Sequence, residues 1–432
     1  MRDANSSVVL QGGTVVDRTG ARRADVVVEA GAVVAVGADL PVPHGARVLD
    51  CGGCWVGPGL IDLHTHLRQP GREEAETIET GSRAAALGGY TTVVAMPNTT
   101  PPIDSAGVVR EIMALAAQAL CTVEVSGAIT VGRAGERLAP MAELAGLGVR
   151  LFTDDGSGVQ DGRLMRRALE YARPLGVLLA QHCEDEALAA GGVMHEGEWS
   201  SRMGVPGQPA EAEEVMVMRD IALARLTGAR VHLQHLSTAR SVGLVREAKA
   251  AGLWITCEAT PHHLTLTDEA CQGFDTVFRV NPPLRPAADR DAVRAGLLDG
   301  TVDAVATDHA PHDQVAKEQP FDQAPPGMLG LETAMALTLG QLDLADAPRT
   351  LFALLSWQPG AVLGLAAGAG LVAEGTTADL CAIDPGERWV VDPARLASRS
   401  RNTPYAGREL AGRVRHTLHR GEPVVLDQEA QR

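Results

Sequence analysis

The sequence predicts an α/β protein: a (β/α)8 TIM-type barrel with a small composite β-sandwich domain built from both chain ends. Three observations predict it. Eight apolar, strand-like runs follow one another between residues 60 and 312. Helix-like stretches rich in Ala, Leu, Glu and Arg, such as ETIETGSRAAALGG and AEEVMVMRDIALARLTG, separate most of them. Short β-branched runs occur before residue 57 and again after residue 368. Strands joined through helices run parallel, because a parallel pair needs a crossover connection. Eight such strands close most simply into a barrel.

Residues 1–57 are the first part of the sandwich. Within them, DVVVEAGAVVAVG at 25–37 sets two β-branched runs around Ala30-Gly31, a hairpin signal. Residues 58–368 are the barrel, with strands at LIDLHTH, YTTVVAMPN, CTVEVSGAIT, VRLFTDD, GVLLAQHCED, RVHLQHLST, LWITCEATPHH and VDAVATDHAPH. These runs are continuously apolar rather than alternating, as strands covered on both faces require. Residues 369–432 complete the sandwich with GTTADLCAIDPG, RWVVDP and RVRHTLHRGEPVVL. Chain ends commonly lie close together, so one domain can be built from both.

A net charge of −16 argues against nucleic acid and against anionic membranes as partners. No apolar run approaches the roughly 18 residues of a membrane span. MRDANSSVVLQGG has no basic segment followed by a long apolar one, so a cytoplasmic protein is expected. Seven scattered cysteines, an odd number, argue against a disulfide framework. Cys51 and Cys54 form a CxxC without a second pair, which reads as a tight turn through Gly52 and Gly53 rather than a zinc knuckle.

The chemistry is concentrated at strand ends. GLIDLHTHLRQPG at 59–71 places His64 and His66 two residues apart, on one face of a strand. Both imidazoles can therefore converge on one metal ion. Arg68 adds a fixed positive charge suited to a carboxylate or phosphate. The plainer alternative is a surface strand with two ordinary histidines. Asp154 and Asp155 end the fourth strand, His182 the fifth, His235 the sixth and Asp308 the eighth. The C-terminal ends of barrel strands surround a single mouth, where active sites sit. Four histidines and two carboxylates exceed the three protein ligands of a single catalytic zinc and suit two bridged ions. The residues alone do not choose between Asp154 and Asp155 as the bridge. His262, His263 and His309 read as structural or supporting residues. His232, three before His235, should face the other side of a shared strand. His44, His195, His416 and His419 lie away from the rim and read as solvated.

Taken together, GLIDLHTHLRQPGRE, AMPNTTP, FTDDG, AQHCED, HLST, TPHHL, NPPLR, ATDHAPH, GLET and NTPY resemble the dihydroorotases of the amidohydrolase superfamily, in their long bacterial class I form. The likeness covers almost the whole chain. It implies reversible, zinc-dependent hydrolysis of (S)-dihydroorotate to N-carbamoyl-L-aspartate in de novo pyrimidine (UMP) synthesis. It implies that His64, His66 and Asp308 hold one zinc and that His182 and His235 hold another. Asp155 and a water or hydroxide would bridge the two, and Asp308 would serve as general base and then general acid. Arg68 and Asn98 would grip the substrate carboxylate with His312 assisting; His66 borders the substrate, and Asn281 bonds the ring or its amide. Pro326 and Gly327 would contribute backbone groups. Many relatives have Phe at the first of these positions; Pro326 lacks the N–H donor but keeps its carbonyl.

Hydantoinases and allantoinases bridge their metals with a carbamylated lysine. Here Lys249 and Lys317 are the only lysines and neither lies on the fourth strand, so no carbamylated lysine is expected. Two other readings compete: a hydantoinase or dihydropyrimidinase type of cyclic-amide hydrolase, and a non-catalytic scaffold for aspartate transcarbamoylase. The completeness of the ligand set favours the enzyme. Expected partners are a small-molecule substrate, a second copy in a homodimer and aspartate transcarbamoylase.

Overall fold

The computed structural model describes residues 7–343, 346–365 and 370–431. Each of the eight apolar runs contains a strand: β1 (Leu60–Thr65), β2 (Tyr90–Ala95), β3 (Thr122–Val125), β4 (Leu151–Phe152), β5 (Leu178–Gln181), β6 (Val231–Leu233), β7 (Ile255–Ala259) and β8 (Ala304–Val305). All are parallel to their neighbours, in a sheet ordered β3-β2-β1 and another ordered β4-β5-β6-β7-β8. Isolated parallel bridges join Gly127 to Phe152 and Thr65 to His309, one across each gap between the two sheets. The class is α/β with parallel sheets, as the sequence requires.

The apolar runs are continuous because successive residues enter different cores. Leu60 and Leu179 pack into one large apolar cluster, while Ile61, Leu63, Leu178 and Ala180 pack into a second. The intervening helices start where side chains can cap them. Thr77 accepts from Thr80 N at the head of helix Ile78–Leu87, and Asp161 accepts from Arg163 N and Leu164 N ahead of Gly162–Leu175.

Strands from the two chain ends interleave. In a seven-stranded sheet, Leu380–Val390 lies between Glu409–His419 and Trp55–Pro58, with Leu380 opposite Pro58 and Ile383 opposite Trp55. A four-stranded sheet holds Val8–Gln11, Asp25–Glu29, Ala32–Gly37 and Arg47–Asp50. Val8, Val26, Val56, Leu380 and Leu418 share one apolar cluster, so both ends contribute to it. The hairpin expected at 25–37 is present; Ala30 (φ +49°) and Gly31 (φ +84°) turn it. The CxxC is a turn closed by Cys54 N donating to Cys51 O at 2.8 Å, with both thiols buried.

Trp55–Pro58 ends one residue before β1, and that residue must be glycine. A Cβ on Gly59 would lie 2.1 Å from Thr91 Oγ1. The break expected between residues 368 and 369 falls outside the described residues. Two histidines expected in solvent are buried: His195 Nδ1 accepts from Arg285 at 3.1 Å, and His416 Nδ1 accepts from Asp427 N at 3.2 Å. Among the described residues, no helix is long and apolar enough to cross a membrane.

Candidate metal and substrate site

The C-terminal ends of β1, β4, β5, β6 and β8 bring His64, His66, Asp155, His182, His235 and Asp308 together, all buried. His64 Nε2 lies 3.1 Å from Asp155 Oδ1 and 3.5 Å from Asp308 Oδ1. His66 Nε2 lies 3.0 Å from Asp308 Oδ1 and 3.5 Å from Asp155 Oδ2. On the other side, His182 Nδ1 and His235 Nε2 stand 2.9 Å apart, at 3.7 and 3.8 Å from Asp155 Oδ1. Asp155 thus belongs to two groups of possible ligands, one with His64 and His66 and one with His182 and His235.

Asp154 has a different fate. Its carboxylate accepts from Ile129 N at 2.8 Å, Thr130 N at 3.0 Å and the Thr130 hydroxyl, so it ties down the loop after β3.

Three residues of the site adopt left-handed backbone just beyond their strands: Arg68 (φ +60°), His235 (φ +33°) and Asp308 (φ +45°). Non-glycine residues there carry strain of about 1–3 kcal/mol each, tolerated where the surroundings over-determine them. For Asp308 the surroundings are clear. Asp62 on β1 accepts from Thr307 N at 2.8 Å and from Thr307 Oγ1 at 2.6 Å.

The same backbone turn corrects the expectation for His232. His235 lies beyond the end of β6, so the two-residue alternation does not relate the pair. His232 points to the ligand cluster's support: its Nε2 lies 3.0 Å from Glu258 Oε2, and Glu258 Oε1 lies 2.9 Å from His64 Nδ1. Sequence reasoning missed Glu258. The available signal was a lone carboxylate inside the apolar run of β7. By accepting from Nδ1, Glu258 leaves His64 Nε2 as the ring nitrogen facing Asp155 and Asp308. Asn98 does the same for His66, with Oδ1 2.9 Å from Nδ1, and its Nδ2 lies 3.4 Å from Asp155 Oδ2.

Electrostatics favour a bound cation. Burial alone would raise the Asp155 carboxyl, yet the charge of His64 and bonds from His182 and His235 hold it well below the usual range. Asp308 is likewise lowered, by His64 and His66, against its burial. In return, and against burial, Asp155 and Asp308 raise His64, while bonds to Asp155 and Glu184 lift His182 to about 10. Protons on these imidazoles answer the negative charge, and a metal ion would displace them. The buried Nε2 of His64 and Nδ1 of His235 have no hydrogen-bond partner, and the donor set is imidazole and carboxylate, so the residues fit a metal.

Around this cluster lie the expected substrate contacts. Arg68 is buried, with Nε donating to Pro311 O at 3.1 Å. Asn281 Oδ1 and His312 Nδ1 are buried without partners. Asn281 Nδ2 lies 3.4 Å from His182 Nε2. Burial and the charges of Arg68 and Lys317 push His312 down to about 2, so its ring is neutral. Backbone groups at 326–327 have partners within the protein. Pro326 O lies 2.8 Å from His312 Nε2, and Gly327 N donates to Arg279 O at 2.9 Å. Gly327 has φ +137°, and a Cβ there would meet Ala310 Cβ at 2.7 Å and His312 Nε2 at 2.8 Å. His263 is structural, its Nε2 3.0 Å from Pro282 O, and His309 Nε2 lies 3.3 Å from Glu76 Oε2.

A family profile described as "Dihydro-orotase-like" matches residues 53–241. The "Dihydroorotase" of Pelotomaculum thermopropionicum is 50% identical over 97% of this chain and 99% of its own length. The chain belongs to the dihydroorotase family. The "Dihydroorotase" sequences of Anaeromyxobacter dehalogenans and Streptomyces coelicolor are 49% and 46% identical, each over 98% of this chain and 99% of its own. As a member of the dihydroorotase family, the chain is a cyclic amidohydrolase of the amidohydrolase superfamily. Its fold is shared with L-hydantoinase (dihydropyrimidinase) from Arthrobacter aurescens, at 24% identity and a TM-score of 0.88 over 99% of this chain and 98% of that one. D-hydantoinase from Bacillus sp. AR9 aligns with a TM-score of 0.86 at 26% identity, over 98% and 96% of the two chains.

Proposed function

We propose that the protein is a class I dihydroorotase that hydrolyses (S)-dihydroorotate reversibly to N-carbamoyl-L-aspartate, with two zinc ions per chain and no carbamylated lysine. The observation that carries the two-metal reading is the sharing of Asp155 between two histidine pairs. Neither lysine is near that position by its contacts: Lys249 Nζ lies 2.7 Å from Asp303 Oδ2, and Lys317 Nζ donates to Pro325 O at 2.9 Å. The isolated bridges at Gly127 and Thr65 support a closed barrel over residues 58–368. The interleaved terminal strands and their common apolar cluster support a β-sandwich from residues 1–57 and 369–432.

In this reading His64, His66 and Asp308 would hold one ion and His182 and His235 the other, with Asp155 shared between the two sets. A metal held there would supply Lewis acidity toward the ring carbonyl and acidity to a water, lowering its pKa toward about 7. Asp308, kept ionised by its histidine neighbours, takes the attacking water's proton as the new C–O bond forms. It returns that proton to the ring nitrogen as the C–N bond breaks. Arg68 pairs with the substrate carboxylate, with Asn98 and His66 beside it. The free Asn281 Oδ1 accepts from a ring N–H, and the neutral His312, its Nε2–H taken by Pro326 O, offers Nδ1 as an acceptor for a ring N–H rather than a donor to the carboxylate. The test is metal content per chain together with hydrolysis of dihydroorotate and of neutral dihydrouracil. Two zinc equivalents with preference for dihydroorotate support the reading; preference for dihydrouracil overturns it.

A further inference from the structure

Residues 398–402 (SRSRN) reach the site from the C-terminal part of the chain. Their burial alternates: Ser398, Ser400 and Asn402 are buried while Arg399 and Arg401 are exposed. Every second side chain of the segment is thus turned inward, along a backbone that bends at 397–399. The inward groups have separate targets. Ser398 Oγ donates to Glu76 Oε2, and Arg399 N donates to Glu76 Oε1 at 3.1 Å. Glu76 in turn lies 3.3 Å from Nε2 of His309, the residue that follows the strained Asp308, and His309 Nδ1 accepts from Gly330 N at 3.2 Å.

Asn402 acts at the other end. Its Nδ2 donates to Ala310 O at 3.0 Å and to Gly327 O at 3.1 Å, and its Oδ1 accepts from His312 N at 3.2 Å. Flipping the amide would set Oδ1 against two carbonyls, so the partners fix its orientation. One side chain thus joins both ends of the loop from Ala310 to Gly327. That loop carries His312, Pro326 and Gly327.

We propose that residues 398–402 form a strap that positions the two halves of the site independently: Ser398, through Glu76 and His309, sets Asp308, while Asn402 sets the 310–327 loop. The inference rests on the dihydroorotase reading for its catalytic consequences. Ser398, Glu76 and Asn402 are positioning residues. The loop consequence is readable without substrate, because the chain has only two lysines, one of them (Lys317) buried in this loop and the other (Lys249) in a distant helix.

The experiment combines steady-state kinetics on the metal-loaded enzyme with limited digestion by a lysine-specific protease. Losing buried hydrogen bonds of this kind costs enough to change a rate or an affinity about 10-fold. Asn402→Ala is expected to raise KM for dihydroorotate about 10-fold with kcat within about 3-fold, and to speed cleavage after Lys317 but not after Lys249. Asn402→Asp, which sets a carboxylate against two carbonyls, should do both more strongly. Ser398→Ala and Glu76→Gln are expected to lower kcat about 10-fold with KM little changed and no faster cleavage after Lys317. Equal changes of kcat and KM in both classes, or faster cleavage at both lysines together, would reduce the strap to general stabilisation and overturn the proposal. Should the unmodified enzyme not hydrolyse dihydroorotate, the functional reading fails, while selective cleavage after Lys317 still decides whether Asn402 holds the loop.

Discussion

The ligand cluster and the substrate rim are built by opposite rules. In the cluster, His64, His66, Asp155 and Asp308 contact one another at 3.0–3.5 Å, and supporting groups such as Glu258 and Asn98 fix which nitrogen each histidine presents. At the rim, Asn281 Oδ1 and His312 Nδ1 are buried and lack partners, while the backbone of 326–327 is bonded to His312, Arg279 and Asn402. The cluster concentrates charge and holds it rigidly on strand ends. The rim offers single, neutral or cationic contacts on loops. Under the proposed function the first would carry the chemistry and the second recognition, so the two should fail in different ways.

The largest effect is expected in the cluster. Asp308→Asn should lower kcat about 1000-fold, the range of a lost general acid–base group, with circular dichroism unchanged. Near-normal turnover would remove Asp308 from its proton-transfer role. Chelation should abolish turnover of the unmodified enzyme, and added zinc should restore it. If the rim only recognises, its variants will keep the full metal content through the same treatment.

Next comes Arg68. A charge-assisted bond contributes about 1.5–3 kcal/mol, so Arg68→Met should raise KM for dihydroorotate about 10- to 100-fold while kcat changes much less. Hydrolysis of dihydrouracil, which carries no carboxylate, should be insensitive. Unchanged saturation by dihydroorotate would break the distinction between the two regions.

The two regions also differed in how legible they were. The cluster follows from strand period and strand ends, and His64, His66, His182, His235 and Asp308 could be placed from the sequence alone. What the sequence could not do was separate Asp154 from Asp155. Both are buried at the end of β4, and only the folded loop after β3, with Ile129 N and the Thr130 hydroxyl, claims Asp154. The left-handed turns at Arg68, His235 and Asp308 were also invisible, since none of these residue types demands that conformation. Strand period alone therefore places His232 on the wrong side. The rim had no period to read and depended on resemblance. The bonds that tie Asn402 to Gly327 and Ser398 to Glu76 span 75 or more residues, and no local pattern encodes such contacts.

The smallest effect contrasts two glutamates and tests the electrostatic side of the comparison. Burial opposes ionisation of Glu258, but His232 and His64 hold it down at about 2. Glu332 is raised by burial to about 7, against weaker help from Ala397 N and Ser398 N. For Glu258 the folded value lies below the unfolded 4.5, so its contribution is present above pH 4.5 and lost as pH falls toward 2. For Glu332 the order is reversed: its protonated form suits the fold below pH 4.5, and that advantage is lost as pH rises through 7. In metal-free protein, Glu258→Gln should lower Tm by about 4 °C at pH 7, the cost of breaking a buried pair in a chain this long, with the gap narrowing below pH 4.5. Glu332→Gln should leave Tm unchanged at pH 4.5 and raise it by about 1 °C at pH 8. Thermal unfolding followed across pH measures both. Parallel pH dependences for the two variants would show that the histidines around Glu258 do not hold its charge, and the contrast between a charge-holding cluster and its uncharged surroundings would fall.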